Sequence, residues 1–520
     1  MAGDLATLQR SARDVARWQK SQEHLLAGRF ALALPVYREM VQRYPEVVQL
    51  WFELGLAAAG ELEFALAEEA FRRAKELAPR DSSLLVLLGQ QYHKLRRLDL
   101  ARSCFEEAVA ADPGSAHAQL SLAAWFERDR RLEDAWDLAE TAVNAHPNDA
   151  QAQRFRAMLL HRLGRNEEAE RALRQLISRS DLDKEVAASS RHQLGVVLDA
   201  QGQPDEAMKW LAESKDPALQ STNPQPLLQA YDRADRRRRD LLASLTPATI
   251  KRWREEGPAS PCPAQPAMLG GHPRSGTTLL EQILGANSAI HAFDEPEAFV
   301  QEIWNQLASM QAASGLTLNG LNVLNASRRA QLRDRYIRSL LREPAGGPEV
   351  RVWLDKNPSP TASLHLWLRI FPELKVVIAL RDPRDVVLSC YFQNLALTPT
   401  NANFLTLDRT VKHYCDLMDV WLRMRELGGF DWTETRYEDV VQDVAAEGRR
   451  VTEFLGVPWE AGQAESHQAA RKTFLFAPTY SDVTKPVHKK AVGRWEKYAA
   501  ALEPVQRKLV KYCQAFGYGE

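Results

Sequence analysis

The stretch Met268-Leu-Gly-Gly-His-Pro-Arg-Ser-Gly-Thr-Thr-Leu-Leu280 decides how the C-terminal half of this chain folds. A short apolar run enters a turn framed by Gly271 and Gly276, and Thr277 opens a helical pattern. Glycines let the backbone approach an anion closely, successive amides form a cradle, and the N-terminus of the following helix favours negative charge. Arg274 adds a permanent cation whose fork of donors matches a phosphate. The frame is nearly the nucleoside triphosphatase pattern GxxxxGK followed by Ser or Thr, where the lysine reaches the terminal phosphates and the next hydroxyl holds magnesium. Thr277 stands where that lysine would be. Residues Arg274, Ser275, Gly276, Thr277 and Thr278 are therefore expected to hold a phosphate without a metal-bound triphosphate. His272 reads as a local packing or hydrogen-bonding residue.

At 520 residues the chain is too long for a single core. Its 45% hydrophobic and 26% charged residues are ordinary for a soluble globular protein. A net charge of −1 argues against general binding to nucleic acid or to anionic membranes. The four arginines at 236–239 are surrounded by Asp232, Asp235 and Asp240, which reads as a solvated helical face. Five cysteines, Cys104, Cys262, Cys390, Cys415 and Cys513, are scattered, so neither a disulfide framework nor a metal site is expected. With no apolar signal core at the N-terminus and no run of about 18 apolar residues, no membrane span and a cytoplasmic location are expected.

Ahead of the loop, Pro45, Pro79, Pro113 and Pro147 recur every 34 residues, the period of the tetratricopeptide helix-turn-helix repeat. Between them large residues such as Trp51, Leu54, Phe71, Leu85, Tyr92 and Phe105 alternate with Gly55, Gly89, Ala67, Ala101 and Ala135 at the close-approach positions. The register slips by four residues around 181–184 and resumes with Leu194, Gly195 and Ala207. About six units are expected over 14–217, a helical connector and Pro-rich linker over 218–266, and a second domain over 267–520. Each unit cannot bury its apolar face alone, so stacking stabilises the array and creates a curved surface of the kind that binds peptides or partner proteins. Whether it recruits an acceptor or joins copies of the chain into a homo-oligomer stays open.

Beyond the linker, apolar runs at 267–270, 350–354, 375–380 and 431–436 alternate with helical patterns, which predicts an α/β domain with a mainly parallel sheet. Ligands in such sheets collect beyond the carboxyl ends of the strands. The run Lys375-Val-Val-Ile-Ala-Leu-Arg-Asp-Pro-Arg-Asp-Val-Val-Leu-Ser389 delivers Arg381 to a strand tip and Ser389 to the following helix, where the two can converge on one phosphate. Arg384 reads as a structural ion pair. Trp353-Leu-Asp-Lys-Asn-Pro358 puts Lys356 at another strand end, with Asp355 expected to organise the turn. An acceptor hydroxyl needs a base within hydrogen-bond reach, and Ile290-His-Ala-Phe-Asp-Glu-Pro-Glu297 offers His291, Asp294, Glu295 and Glu297. Asp294 reads equally as a cap for a helix starting near Pro296. Residues 301–347 fit no motif and are expected to form an insertion over the acceptor cleft.

The hexapeptide Pro273-Arg-Ser-Gly-Thr-Thr278 resembles the 5′-phosphosulfate loop of sulfotransferases that use 3′-phosphoadenosine 5′-phosphosulfate (PAPS), in particular the bacterial and tyrosylprotein sulfotransferase-like branch. The resemblance runs over about 267–498 and implies a multidomain chain: an all-α tetratricopeptide-repeat solenoid followed by an α/β, P-loop-like sulfotransferase domain. It implies a 3′-phosphate grip by Arg381 and Ser389, an adenine contact by Tyr437 in Arg436-Tyr-Glu-Asp439, and a transition-state lysine at Lys356. Glu295 stands 21 residues beyond Arg274, the offset of the tyrosylprotein-type base, although the usual Gly-Glu pattern is absent; the cytosolic enzymes, which use histidine, would suggest His291. The segment 477–486 with Val492-Gly-Arg-Trp495 is similar to a C-terminal loop that closes over the donor, bringing Thr479, Ser481, Lys485 and Arg494 as further contacts. Such an enzyme would move a sulfuryl group from PAPS to a hydroxyl or amine, a peptide or protein tyrosine being one option, and release adenosine 3′,5′-bisphosphate without a metal. The alternatives are a non-catalytic repeat scaffold that binds the nucleotide and a P-loop nucleotide kinase.

Overall fold

The computed structural model describes residues 8, 11–216, 219, 222–310, 316–341, 346–470 and 484–519. The chain divides into two compact units, with the boundary between Leu163 and Gly164.

The first unit is a helical array running from Ala12–Leu26 to Ala150–Arg162. Its period comes from local chemistry. Each of Pro79, Pro113 and Pro147 follows the end of one helix, and two residues later Asp81, Ser115 or Asp149 caps the next by accepting from its first backbone amides. The turn inside each helix pair needs one left-handed residue, and Gly28, Leu62, Arg96 and Arg130 occupy it at the same 34-residue interval. The helices of a pair approach so closely that a Cβ at Gly55 would stand 2.3 Å from the Phe71 ring, and one at Gly89 would stand 2.6 Å from Phe105. Ala67, Ala101 and Ala135 are completely buried for the same reason.

The second unit opens with helices Asn166–Ile177, Lys184–Ala200 and Pro204–Ser214, which continue the pattern. Their left-handed turn residues are Gly164 and Gly202, the interval having grown by the four residues of the slip, and Gly195 lies against Leu211 as Gly55 lies against Phe71. Leu211 belongs to the same buried cluster as Leu241, Ile250, Trp253, Trp367 and Trp421, so the last repeat-like helix shares a core with the sheet domain.

That domain is built on five parallel strands, β1 Gln265–Gly271, β2 Ile290–Asp294, β3 Val352–Lys356, β4 Lys375–Leu380 and β5 Asp431–Arg436, in the order β2-β3-β1-β4-β5. The apolar runs at 375–380 and 431–436 form strands as predicted, and those at 267–270 and 350–354 do so with shifted bounds. β2 is an edge strand whose five residues alternate too briefly to stand out. β3 extends two residues beyond its apolar run, which puts Asp355 inside the strand rather than in the turn. There its buried carboxylate accepts from the Tyr336 hydroxyl at 2.8 Å. The expected cleft insertion also differs: Ile303, Leu307, Leu321, Leu332 and Tyr336 are core residues, because helix Ala326–Leu340 buries its apolar face and its Arg333 guanidinium on Ile370 and Glu373. No described residue of 301–347 lines the cavity below. No helix among the described residues is long and apolar enough to cross a membrane.

Candidate active site

The loop leaving β1 turns over β4. A Cβ at Gly271, whose φ is +125°, would stand 2.3 Å from the Ala379 carbonyl oxygen, so only glycine fits. The Gly271 amide donates to Thr361 Oγ1 at 2.8 Å and the Ser275 amide to His272 O at 3.1 Å. His272 is fully buried, its Nε2 2.9 Å from His413 Nδ1, and burial lowers its pKa to about 4; it is a neutral packing residue. Gly276, left-handed at φ +88°, starts helix Thr277–Gly285, whose first amides have no intrahelical partner.

Five non-glycine residues among those described have positive φ. Three are the repeat turns above, and the other two are Arg274 (φ 74°) and Glu295 (φ 48°). Such backbone costs of order 1 kcal/mol or more and collects at working sites. Both residues line one cavity of about 430 Å³, within the range of small-molecule sites at roughly 300–1,000 Å³.

The cavity gathers most of the residues singled out in the sequence. Arg274, Gly276, Thr277 and Thr278 line it from the loop, Arg381 and Ser389 from β4 and the helix Pro383–Tyr391, and Tyr437 from the end of β5. Lys485 and Arg494 line it from the C-terminal segment. The stretches carrying Arg274 and Ser389 touch: Arg274 Nε donates to Ser389 Oγ at 3.1 Å, and Arg381 Nη1 donates to Arg274 O at 3.3 Å. The Arg381 guanidinium stands 5.0 Å from the Tyr437 ring centroid, 3.5 Å from Asp385, and also donates to Ala491 O. Its buried Nε has no partner, and a Cβ at Gly276 would meet the Tyr437 ring, so the site offers an unsatisfied donor and a close-fitting wall to a ligand. Lys485 is exposed and makes no ion pair with a described residue. Arg384 pairs with Asp382 at 2.8 Å and lies 3.9 Å over Trp495, a structural pair as read. Ser275 is buried outside the lining. Thr479 and Ser481 lie outside the described residues.

A cluster of charged side chains meets the cavity at Glu295. Lys356 is completely buried and does not line the cavity. Its ammonium lies 2.5 Å from Asp294, 3.1 Å from Glu295 and 3.2 Å from Glu281. Burial opposes its charge, but the three carboxylates outweigh burial and hold it well above the usual lysine pKa. Burial raises the Glu281 carboxyl to about 8 and the Asp355 carboxyl to about 7. Glu295, with 39% of its side chain exposed, is the member of the cluster that reaches the cavity. Asp294 ends β2 beside Lys356 in the sheet register. His291 packs edge-on against Phe293 at 4.6 Å and does not line the cavity.

Sequence reading missed Glu281, which sits one turn after Thr277 among the buried Leu280, Ile283 and Leu284 of its helix. It also missed the cavity wall from residues 393–404 and His488, whose Nδ1 is buried without a partner. A carboxylate inside an apolar stripe is the one signal that pointed to Glu281.

A family model described as sulfotransferase family matches residues 266–461. A model described as tetratricopeptide repeat matches 19–82, 86–150, 128–185 and 156–222, the last two of these reaching past the boundary of the first compact unit. An uncharacterized protein of Aquifex aeolicus (strain VF5) is 25% identical over 349 residues, covering 65% of this chain and 43% of that protein. Protein-tyrosine sulfotransferase A of Caenorhabditis elegans is 26% identical over 232 residues, covering 44% of this chain and 60% of that protein. The crystal structure of MamA is matched at 20% identity and a TM-score of 0.26, covering 31% of this chain and 92% of that one. The chain spans 43% and 60% of the length of these two curated relatives. It carries tetratricopeptide repeats followed by a domain of the sulfotransferase family.

Proposed function

We propose that this protein is a sulfotransferase that moves a sulfuryl group from PAPS to an acceptor hydroxyl or amine, releasing adenosine 3′,5′-bisphosphate. The observation that carries the reading is the 3.1 Å hydrogen bond from Arg274 to Ser389, which joins the 5′-phosphosulfate loop and the 3′-phosphate stretch in one nucleotide-sized cavity with Glu295.

In this reading Arg274, Thr277, Thr278 and the first amides of helix Thr277–Gly285 hold the phosphosulfate end. Arg381, Ser389 and Lys485 hold the 3′-phosphate, with Tyr437 against the base and Arg494 closing the rim. Glu295 takes the proton of the acceptor as the acceptor oxygen or nitrogen bonds to sulfur and the bond from sulfur to the bridging phosphate oxygen breaks. The electron pair of that bond leaves with the phosphate, where the loop amides and Arg274 meet the growing charge. From its buried seat Lys356 serves this step by holding the Glu295 carboxylate in place through their 3.1 Å ion pair. That differs from the direct leaving-group contact implied by resemblance, which an ammonium enclosed by Glu281, Asp294 and Glu295 is badly placed to make. Bases at His291 would need to reach the cavity from a side chain packed on Phe293.

The repeat array and the relative named a protein-tyrosine sulfotransferase favour a peptide or protein acceptor. The reading is tested by incubating the full chain with ³⁵S-labelled PAPS and protein, glycan and metabolite fractions, alongside calorimetry with adenosine 3′,5′-bisphosphate. Labelled product together with bisphosphate binding is expected. Binding without product from any fraction would leave a nucleotide-binding scaffold, and magnesium-dependent ATP turnover would leave a kinase.

A further inference from the structure

The helix pair Lys184–Ala200 and Pro204–Ser214 has the close approach of a repeat, Gly195 against Leu211, yet it sits in the same compact unit as the sheet. Asp199 of the first helix and Lys215, the cap of the second, end on residues that line the cavity, and His192 ends beside one of them. His192 Nε2 lies 2.9 Å from Phe392 O. Lys215, directly after the second helix and 9% exposed, donates to Phe404 O at 2.8 Å and to Gln393 O at 3.1 Å, with the Tyr391 ring 4.8 Å away. Asp199 accepts from Arg494 Nη2 at 2.7 Å and from the Tyr498 hydroxyl. Gln393, Phe404 and Arg494 all line the cavity.

These ties exceed what packing requires. No acidic side chain among the described residues pairs with Lys215, so a buried ammonium rests on two backbone carbonyls and one ring. An arrangement that leaves a charge without a counter-charge is costly, and burial accordingly lowers the Lys215 pKa to about 7. Its effect is to draw both ends of the segment 393–404 to one point. Asp199 in turn fixes the Arg494 guanidinium by a 2.7 Å ion pair, with the Phe392 ring 4.2 Å from that guanidinium.

We propose that this last helix pair is a working wall of the transfer cavity, with Lys215 positioning the segment 393–404 on one lip and Asp199 positioning Arg494 on the other. The inference rests on the nucleotide reading of the cavity for its consequence, and on the hydrogen bonds alone for its geometry. Its reach is specific: Asp199 acts on donor affinity through Arg494, whereas Lys215 acts on the order of the segment 393–404.

The test uses the full chain, with adenosine 3′,5′-bisphosphate as probe and amide hydrogen exchange as a second readout. Asp199→Asn is expected to weaken bisphosphate binding roughly 10-fold, the effect of losing one charged hydrogen bond, and to add nothing further in an Arg494→Gln background. Lys215→Met is expected to speed exchange at 393–405 while leaving bisphosphate affinity within about 3-fold of the parent. Should Lys215→Met fail to fold, Lys215→Gln keeps one donor and carries the same readout. Parent-like binding by Asp199→Asn, full additivity with Arg494→Gln, or unchanged exchange at 393–405 would overturn the proposal. If the parent itself binds no bisphosphate, the functional reading falls, and exchange at 494–498 in Asp199→Asn still decides the positioning claim.

Discussion

Arg274 and Glu295 are ordinary residue types in an unusual backbone state, and the chemistry assigned to them follows from that state as much as from their charge. The left-handed turn at Arg274 lets its guanidinium reach across the cavity to Ser389, and Arg274→Ala is expected to weaken bisphosphate binding by on the order of 1.5–3 kcal/mol by calorimetry. Glu295→Gln is expected to lower turnover by roughly 10² to 10⁴ with donor affinity nearly unchanged, which initial rates and bisphosphate titration separate. Glu281 makes a pH prediction. Its carboxyl is raised from 4.5 to about 8 by burial. Between those values the unfolded chain releases the proton while the folded chain keeps it, so the contribution of Glu281 to stability falls as pH rises through that window. Glu281→Gln lacks this loss. Urea midpoints should therefore show the variant gaining on the parent as pH is taken from about 5 to about 8.

At the scale of elements, two glycines in the array test two separate causes. Gly28 has φ +67° and open space where a Cβ would go, so Gly28→Ala should cost only the left-handed strain, about 1 kcal/mol. Gly55 has ordinary φ but faces Phe71, so Gly55→Ala must displace a ring and should cost about 2–3 kcal/mol. Denaturation midpoints of the two variants order the effects. The repeat pattern was legible because glycine and alanine act within one helix pair and proline and cap at its junction with the next, all inside one 34-residue period. β2 was not, because five residues at a sheet edge alternate too briefly. The extent of β3 was missed because the pairing of Lys356 with Asp294 and Leu269, and not its own apolarity, carries the strand two residues further.

For the whole molecule, the repeat pattern and the compact units divide the chain at different places. The repeats run on to about residue 217 by sequence, while the second compact unit starts at Gly164. Since Leu211 is part of the core under the sheet and Lys215 and Asp199 hold the cavity walls, a chain of residues 218–520 should unfold at markedly lower temperature than one of residues 164–520. The longer piece should keep the bisphosphate affinity of the full chain. Thermal unfolding with and without the bisphosphate checks both.

The amino-acid sequence by itself determined the repeat period, the glycine-framed loop after β1, four of the five strands and ten of the described residues that line the cavity, since each depends on contacts within a short stretch or on a motif of fixed spacing. Only the tertiary structure decided that Lys356 lies among Glu281, Asp294 and Glu295, that Asp355 is a strand residue bonded to Tyr336, and that Asp199 and Lys215 reach the cavity. Those outcomes hang on which distant side chains share a buried, weakly screened space, where a charge takes whatever partner packing brings to it.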